Sequence, residues 1–513
     1  MTDSIGNRPV DREASGRRTR RAVFVVTALG AFMASLDLSI VNVAFPALER
    51  AFSHDTRASL AWVVTGYSIV FGSLLVVAGR SADRIGSRKV FFTGLGVFCL
   101  GSALCGVAPS VGLLITGRVV QGIGAAAVLP ASLGLLLGAF PTERRSQVVA
   151  MWGGIGALAV ATGPSFGAAL ITWLGWRSAF YVNLPIGLVA WLLGRRVLER
   201  TEGSSSRTTP DYFGVVLLSV SLASLVLAIS QGRSWGWSSW KVEAGFACSV
   251  ALGSFFFYRS SRHPEPVLDL RLFRARSFSA ANAATFLYAM GFFAMLLGNI
   301  LFLTSVWHYS ILLAGLAVTP GPLVVALVSS SAGRLAGRWG FRPVLLAGCG
   351  VFALALTWFA TRVGLGPDYL GAWLPGTLAV GLGIGLTFPV LGAAAVSSLR
   401  PERFAVGSAV NQTARQVGGA IGVAVLVVVL GTPTSAHSAL EDFHHLWWYV
   451  AATAIAAALA SSTIRRDVAA KDGSGDLGLD VAEARAMEAM LDGEFVLADT
   501  DVLQERLAES EDN

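Results

Sequence analysis

ALGAFMASLDLSIVNVAFP, residues 28 to 46, carries one carboxylate, Asp37, inside a run otherwise apolar enough to enter a bilayer. A charged side chain at membrane depth costs roughly 2.5–3.5 kcal/mol even on the most lenient insertion scale, so such residues face a bundle interior and mark an ion or substrate path. Beside that reading stands a structural one, in which Asp37 is simply hydrogen-bonded to Ser39, Asn42 or a neighbouring helix. Both make the stretch a membrane-crossing helix with protein around it.

The rest of the chain is of the same kind. Of its 513 residues 54% are hydrophobic and 14% charged, with a mean hydropathy of +0.63, which indicates an all-α polytopic membrane protein. The basic cluster Arg17, Arg18, Arg20 and Arg21 runs straight into the first apolar segment with no cleavage pattern, so that segment is expected to remain as a spanner with a cytoplasmic amino terminus. Cys99, Cys105, Cys248 and Cys349 lie in apolar segments without metal spacing, which supports neither a disulfide framework nor a zinc site. The six histidines are scattered near segment ends and read as loop or interfacial residues.

Windows of roughly 20 apolar residues fall near 22–44, 59–79, 90–108, 111–138, 146–171, 179–194, 211–230, 240–258, 277–303, 310–332, 343–361, 369–398, 404–430 and 445–464, giving fourteen expected transmembrane helices. Five regions follow: an N-terminal cytoplasmic segment 1–21, a six-helix bundle 22–194, a linker with helices 7 and 8 over 195–276, a second six-helix bundle 277–464, and a tail 465–513. With the first helix leaving the cytoplasm, the 39 Lys and Arg divide into 29 internal, 6 external, 2 within spans (Arg118 and Arg415) and 2 in the distal tail. That is a strong positive-inside bias. It places the protein in the cytoplasmic membrane with both termini inside, and the net charge of +7 then reflects topology and needs no nucleic acid. Trp173, Trp176, Trp235, Trp237, Trp240, Trp307, Trp447 and Trp448 crowd the expected outer ends and read as an interfacial belt. The tail, with 14 acidic and 3 basic residues from 467 on, reads as soluble, with a short helix expected from Asp480 to Leu491.

An internal repeat supports the count. Gly79-Arg80-Ser81-Ala82-Asp83-Arg84-Ile85-Gly86 recurs as Gly333-Arg334-Leu335-Ala336-Gly337-Arg338-Trp339-Gly340, and Glu143-Arg144 recurs as Glu402-Arg403. Two related six-helix halves with a hairpin inserted between them is a plan that suits a transporter rocking about a midplane site.

Three constellations stand out. Arg118 and Gln121 lie one turn apart in RVVQGIGAAAVLP, each charge of the Asp37–Arg118 pair being about seven residues, or roughly 10 Å, from the outer surface at 1.5 Å per residue. A coupling pair that loads and unloads a proton and a permanent structural salt bridge both fit this placement, and Asn42 and Gln121 are candidates for the substrate path. In MWGGIGALAVATGPSFGAAL, Gly156, Gly163 and Gly167 share a face open to close helix approach, while Pro164 removes the amide that would bond the Val160 carbonyl. In the loop after helix 2, Gly79, Asp83, Arg84, Gly86 and Arg88 form a candidate cytoplasmic gate. An acid there works against the positive-inside bias, so Asp83 is expected to have a partner, for instance the start of helix 11 at Pro343, where the helix dipole is positive.

LDLSIVNVAFP, GRSADRIGSRK, RVVQGIGAA, GPSFGA, WRSAFYVNLPIG, DLRLF and the AGL before Pro320 resemble, in order, the motifs of the major facilitator superfamily, in particular its fourteen-helix drug:proton antiporter branch. The resemblance covers roughly residues 20 to 465. It implies the major facilitator fold, with Asp37 in the first-helix motif, Arg118 in the proton-linked fourth-helix motif and Gly163-Pro164 in the fifth-helix antiporter motif. It implies further that Asp83 and Arg84 latch the outward-facing state. Ser81 and Ser87 stand where the loop motif more often has Leu and a basic residue, and Ala168 where a second Gly is usual.

The expected function is therefore proton-coupled antiport that exports small lipophilic, cationic drugs or toxic compounds by alternating access. The expected partners are a small-molecule substrate, protons and membrane lipid, with no cofactor and a monomeric state. The alternatives are proton-coupled traffic of an endogenous metabolite, peptide or lipid, and a non-transporting membrane assembly protein. An enzyme would need a cluster of His, Asp or Glu at one depth, and the sequence has none; it also lacks a GxxxxGK[ST] phosphate loop, which argues against direct ATP drive.

Overall fold

The structure, a computed structural model, describes residues 9–141, 144–199, 210–399, 403–431 and 433–464. The acidic tail with its expected short helix, and Glu143 and Glu402 of the second repeat, lie outside the described residues. Among the described residues no strand is present. The described residues form sixteen α-helices in succession: α1 (Pro9–Ala51), α2 (Arg57–Ile85), α3 (Ser87–Val107), α4 (Val111–Ala139), α5 (Arg145–Leu174), α6 (Ser178–Tyr181), α7 (Asn183–Val197), α8 (Tyr212–Trp235), α9 (Trp240–Arg262), α10 (Arg276–Ser305), α11 (Ile311–Val318), α12 (Pro320–Trp339), α13 (Phe341–Arg362), α14 (Leu374–Ser397), α15 (Phe404–Leu430) and α16 (Ala436–Ser462).

These fill fourteen helical segments, because two of them are broken, α6 from α7 at Val182 and α11 from α12 at Thr319. Both breaks precede a proline, Pro185 or Pro320, whose ring nitrogen cannot donate to the preceding turn. Eleven of the segments are long and apolar enough to cross a membrane. The other three are the α6–α7 pair, α9 with Lys241, Glu243, Arg259 and Arg262 at its ends, and α16, which opens with polar residues including Glu441, Asp442, His444 and His445. Successive segments run antiparallel. Below, the side on which α1 begins and α16 ends is the terminus side, and the opposite one the far side.

Local chemistry marks the ends. Far-side starts are capped by Thr56, Ser110, Ser310 and Ser435, whose hydroxyl oxygens accept the amides of Ser59, Leu113, Leu313 and Ser438. The repeat noted in the sequence is a repeat of conformation as well. Gly86 ends α2 at φ 95° and Gly340 ends α12 at φ 90°, a left-handed setting that only glycine takes without strain, with the amides returning to Ala82 and Ala336. Arg144 and Arg403 likewise begin α5 and α15 with nearly identical torsions, φ −102° and ψ −3° against φ −103° and ψ 0°.

Helices α1–α7 pack mainly among themselves, as do α10–α16, and the two groups meet through α2 against α15 and α5 against α11 and α12, with α1 touching α10 between them. Those two contacts exchange under the repeat, as a two-fold relation between the halves requires. The α8–α9 hairpin leans on both halves, α8 packing against α2 and α15 through Ile69, Leu222, Val226, Ala420 and Ala424. Asp211 holds its base, capping the Gly214 amide and pairing with Arg259 at 2.8 Å.

The belt of tryptophans needs correction. Trp173, Trp235, Trp237, Trp240 and Trp448 are exposed, but Trp176, Trp307 and Trp447 are buried. Trp447 donates its indole N–H to Asn299 Oδ1 at 3.1 Å and Trp307 donates to the Gly364 carbonyl at 2.9 Å. With those polar tips satisfied, the rings join Phe302, Phe359, Trp373 and Phe443 in one far-side aromatic cluster.

Candidate functional site

The site begins with two close helix approaches. Gly101 and Gly124 face backbone atoms of Gln121 and Phe98 across the α3–α4 contact, leaving no room for a Cβ, so Gln121 of α4 lies beside Ser102 of α3. The α6–α7 break restarts the helix at Asn183 and turns that side chain to the same point. There Asp37 of α1, itself fully buried, is surrounded.

Asp37 Oδ2 accepts from Arg118 Nη1 at 2.5 Å. Asp37 Oδ1 accepts from Gln121 Nε2 at 2.7 Å and from Asn183 Nδ2 at 3.1 Å, and both of these amides also donate to Ser102 Oγ. Arg118 further donates through Nε to the Val63 carbonyl of α2 at 2.8 Å and through Nη1 to Gln121 Oε1 at 2.6 Å, with its guanidinium 4.2 Å from the Tyr67 ring centre. Five helices of one half therefore converge on one carboxylate. An ion pair in low dielectric survives when its remaining valences are satisfied, as they are here. The other buried carboxylate among the described residues, Asp211, caps the start of α8 and pairs with Arg259 at the base of the inserted hairpin, away from this cluster.

Beside this cluster a cavity of ≈590 Å³ runs between the two halves. Its walls are mostly apolar and aromatic, with Leu38, Tyr67 and Phe71 on one side and Phe292, Phe293 and Phe388 on the other. On the far side, Val43, Phe45 and Leu48 of α1 and Leu301, Phe302 and Leu303 of α10 are buried in an apolar core continuous across both halves. Toward the terminus side the wall includes Gly153 of α5, which is exposed, as is Gly154 next to it. The cavity is thus closed on the far side and open toward the terminus side.

Asn42 lines this cavity, its Nδ2 donating to the Leu38 carbonyl at 2.7 Å. Gln121, read with it as part of the substrate path, sits instead in the Asp37 cluster and is not among the lining residues, nor are Asp37 and Arg118. Tyr67 stands between, one face on the cavity and one on Arg118. Asn183 and Ser102 are partners that sequence reasoning missed. The signal for Asn183 was a buried amide two residues before a proline in WRSAFYVNLPIG; nothing marked Ser102.

The glycine face of α5 meets α1, with Gly156 against Ser35, Gly163 against Ser39 and Gly167 against Ile40. Ser39 Oγ donates to the Val160 carbonyl at 3.2 Å, the acceptor that Pro164 leaves without its helical amide. On its other face α5 receives α11, where Gly315 abuts Ala168 and the Pro164 carbonyl. The room that an alanine takes at 168 is given back by a glycine on the opposing helix.

In the loop motif, Gly79 faces Pro130 of α4, Gly86 makes the helix stop, and the Arg88 guanidinium lies 5.7 Å from the Phe92 ring. Arg80 donates to the Pro266 carbonyl at 2.8 Å, and Ser81 and Tyr212 share a hydrogen bond of 3.1 Å, which ties the motif to the inserted hairpin. Arg84 is half-buried. Asp83 is exposed and, among the described residues, forms no ion pair or hydrogen bond.

A two-fold pair of helical halves around a terminus-side cavity, with one buried ion pair beside it, defines a membrane transporter, and residues 27–423 match the Major Facilitator Superfamily. The chain belongs to that family. Among its relatives are the multidrug resistance protein Stp of Mycobacterium tuberculosis, 34% identical over 82% of this chain and 77% of that one, and the methylenomycin A resistance protein of Streptomyces coelicolor, 32% identical over 83% and 89%. The tetracenomycin C resistance and export protein of Streptomyces glaucescens is 30% identical over 82% and 78%. In fold the chain is similar to a crystal structure of the POT family transporter PepTSo, with a TM-score of 0.63 at 17% identity over 87% of this chain and 97% of the other. The protein is a transporter of small molecules, not an enzyme, in a drug-efflux branch of the family.

Proposed function

We propose that the chain is a proton-coupled antiporter that exports small lipophilic molecules across the cytoplasmic membrane by alternating access. In this reading all fourteen segments cross, the terminus side is cytoplasmic, the unit is a monomer, and the structure represents the inward-open state. The exposure of Asp83 fits that state, in which a terminus-side latch is released. The observation that carries the proposal is the position of Asp37, shut off from the cavity by Tyr67 and bound at once to α4 and α7.

The mechanism follows from what a proton does there. Ionised Asp37 holds α1 to α4 through Arg118 and to α7 through Asn183. Protonation cancels the charge, weakens the Arg118 bond, and leaves that guanidinium with Val63, Gln121 and the Tyr67 face. Two residues along α1, Ser39 is bonded to α5 at Val160, and α5 carries the far-side contact with Gly315 of the other half. A change in how tightly α1 is held therefore reaches the seam at which the halves part. Proton loading favours one tilt, proton release the other.

The test is transport in everted vesicles under an imposed pH gradient. Asp37→Asn keeps size and hydrogen bonding but cannot titrate. It is expected to abolish gradient-driven uptake of a fluorescent drug while the protein remains in the membrane at normal levels; uptake that still follows pH at the wild-type rate would show that Asp37 is structural.

A further inference from the structure

Among the described residues the cavity wall contains a single charged side chain, Arg415 of α15, and no carboxylate. Its guanidinium lies 4.1 Å from the Phe388 ring centre and 6.0 Å from that of Phe292, and its Nε has no hydrogen-bond partner. No described acid pairs with it. Next to it Gln416, almost fully buried, has an unpartnered Oε1, and on the facing half the Tyr67 hydroxyl and Asn42 Oδ1 are likewise buried and unpartnered, each on a residue that lines the cavity.

Guanidinium does not lose its proton in a protein, so this positive charge is permanent. Stacking on an aromatic face compensates only part of its lost hydration. Asp37 offers no relief, being saturated within its own cluster and absent from the cavity wall. A lipophilic cation entering the cavity would meet a like charge and no counter-charge. An apolar body bearing a carboxylate, phenolate or sulfonate would instead supply the missing acceptor, while its rings lie among Phe292, Phe293 and Phe388.

The geometry points to an amphipathic organic anion as the preferred substrate, its acidic group held by Arg415 and its neutral polar groups by Gln416, Tyr67 and Asn42. This rests on the export reading above for the direction of transport only, since the binding preference is set by the cavity itself. It also changes the charge count. Exchanging one inward proton for one outward monocation moves no net charge, whereas exchanging it for an outward monoanion moves two positive charges inward, so membrane potential drives the cycle directly.

Binding of 1-pyrenebutyrate and 1-pyrenebutylammonium, which share one apolar body and differ in charge, tests this on the full-length protein in nanodiscs of zwitterionic lipid, with empty nanodiscs subtracted. The wild type is expected to bind the butyrate about tenfold or more tightly, the factor that a charge-assisted hydrogen bond supplies. Arg415→Gln should erase that preference and Arg415→Lys should keep part of it. Equal or tighter binding of the ammonium compound, no binding of either, or a preference that survives Arg415→Gln would overturn the inference. The proton-coupling reading is scored separately by Asp37→Asn in everted vesicles, a variant expected to retain the butyrate preference. Loss of the preference in the wild type with coupling intact therefore sinks the substrate class alone.

Discussion

The carboxylate of Asp37 is held by three side chains, and their removal should separate stability from coupling. Removing one partner of a buried ion pair costs about 3–5 kcal/mol, because the other charge is left behind. Arg118→Gln alone is therefore expected to lower thermal stability in detergent more than the double variant Asp37→Asn/Arg118→Gln, in which no orphan charge remains, and neither should retain pH-driven transport. A double variant less stable than Arg118→Gln alone would mean that the two charges do not pair. The sequence showed Asp37, Arg118 and the carbonyl freed by Pro164, because charge at membrane depth and a proline within a helix are local signals. It did not show that Gln121 and Asn183 share Asp37 Oδ1, since that depends on how three helices are rotated. Nor did it show that Ser39 fills the Val160 vacancy, although both residues had been singled out.

Among the helices, α5 has two duties, a glycine face for α1 and a proline–alanine face for α11. The requirement for close packing on the first was legible from the spacing of Gly156, Gly163 and Gly167; the partner on the second was not, because Gly315 belongs to the other half of the chain. Gly163→Val would press on Ser39, an overpacking that costs about 1–3 kcal/mol in a tight contact, and would displace the bond to Val160. It is expected to uncouple substrate efflux from the pH gradient while the protein is still made; normal levels with full coupled efflux would show that α1 and α5 need not stay in register. The tryptophans teach the same point from the other direction. A count of aromatic residues near segment ends cannot tell a membrane-facing indole from one, such as Trp447, whose N–H has a buried acceptor.

For the molecule as a whole, the reading of sidedness makes a direct prediction. In a cysteine-free background, a cysteine at Gly153 should react with an impermeant thiol reagent in everted vesicles and resist it in whole cells, and one at Ser239, which caps α9 on the far side, should do the reverse. The opposite pattern would invert the topology. The repeated loop was legible as sequence, and its two copies make the same glycine stop at Gly86 and Gly340; which way the cavity opens was not, since both tilts use the same residues. The inserted hairpin has a last effect of this kind. By lying across α2 and α15 it walls off one seam between the halves, while among the described residues no comparable packing joins it to α5, α11 or α12. On the lipophilic-substrate reading proposed above, a solute arriving from the surrounding lipid would find the α2–α15 flank covered by this hairpin, so any lateral entry would have to part the uncovered α5–α12 flank instead.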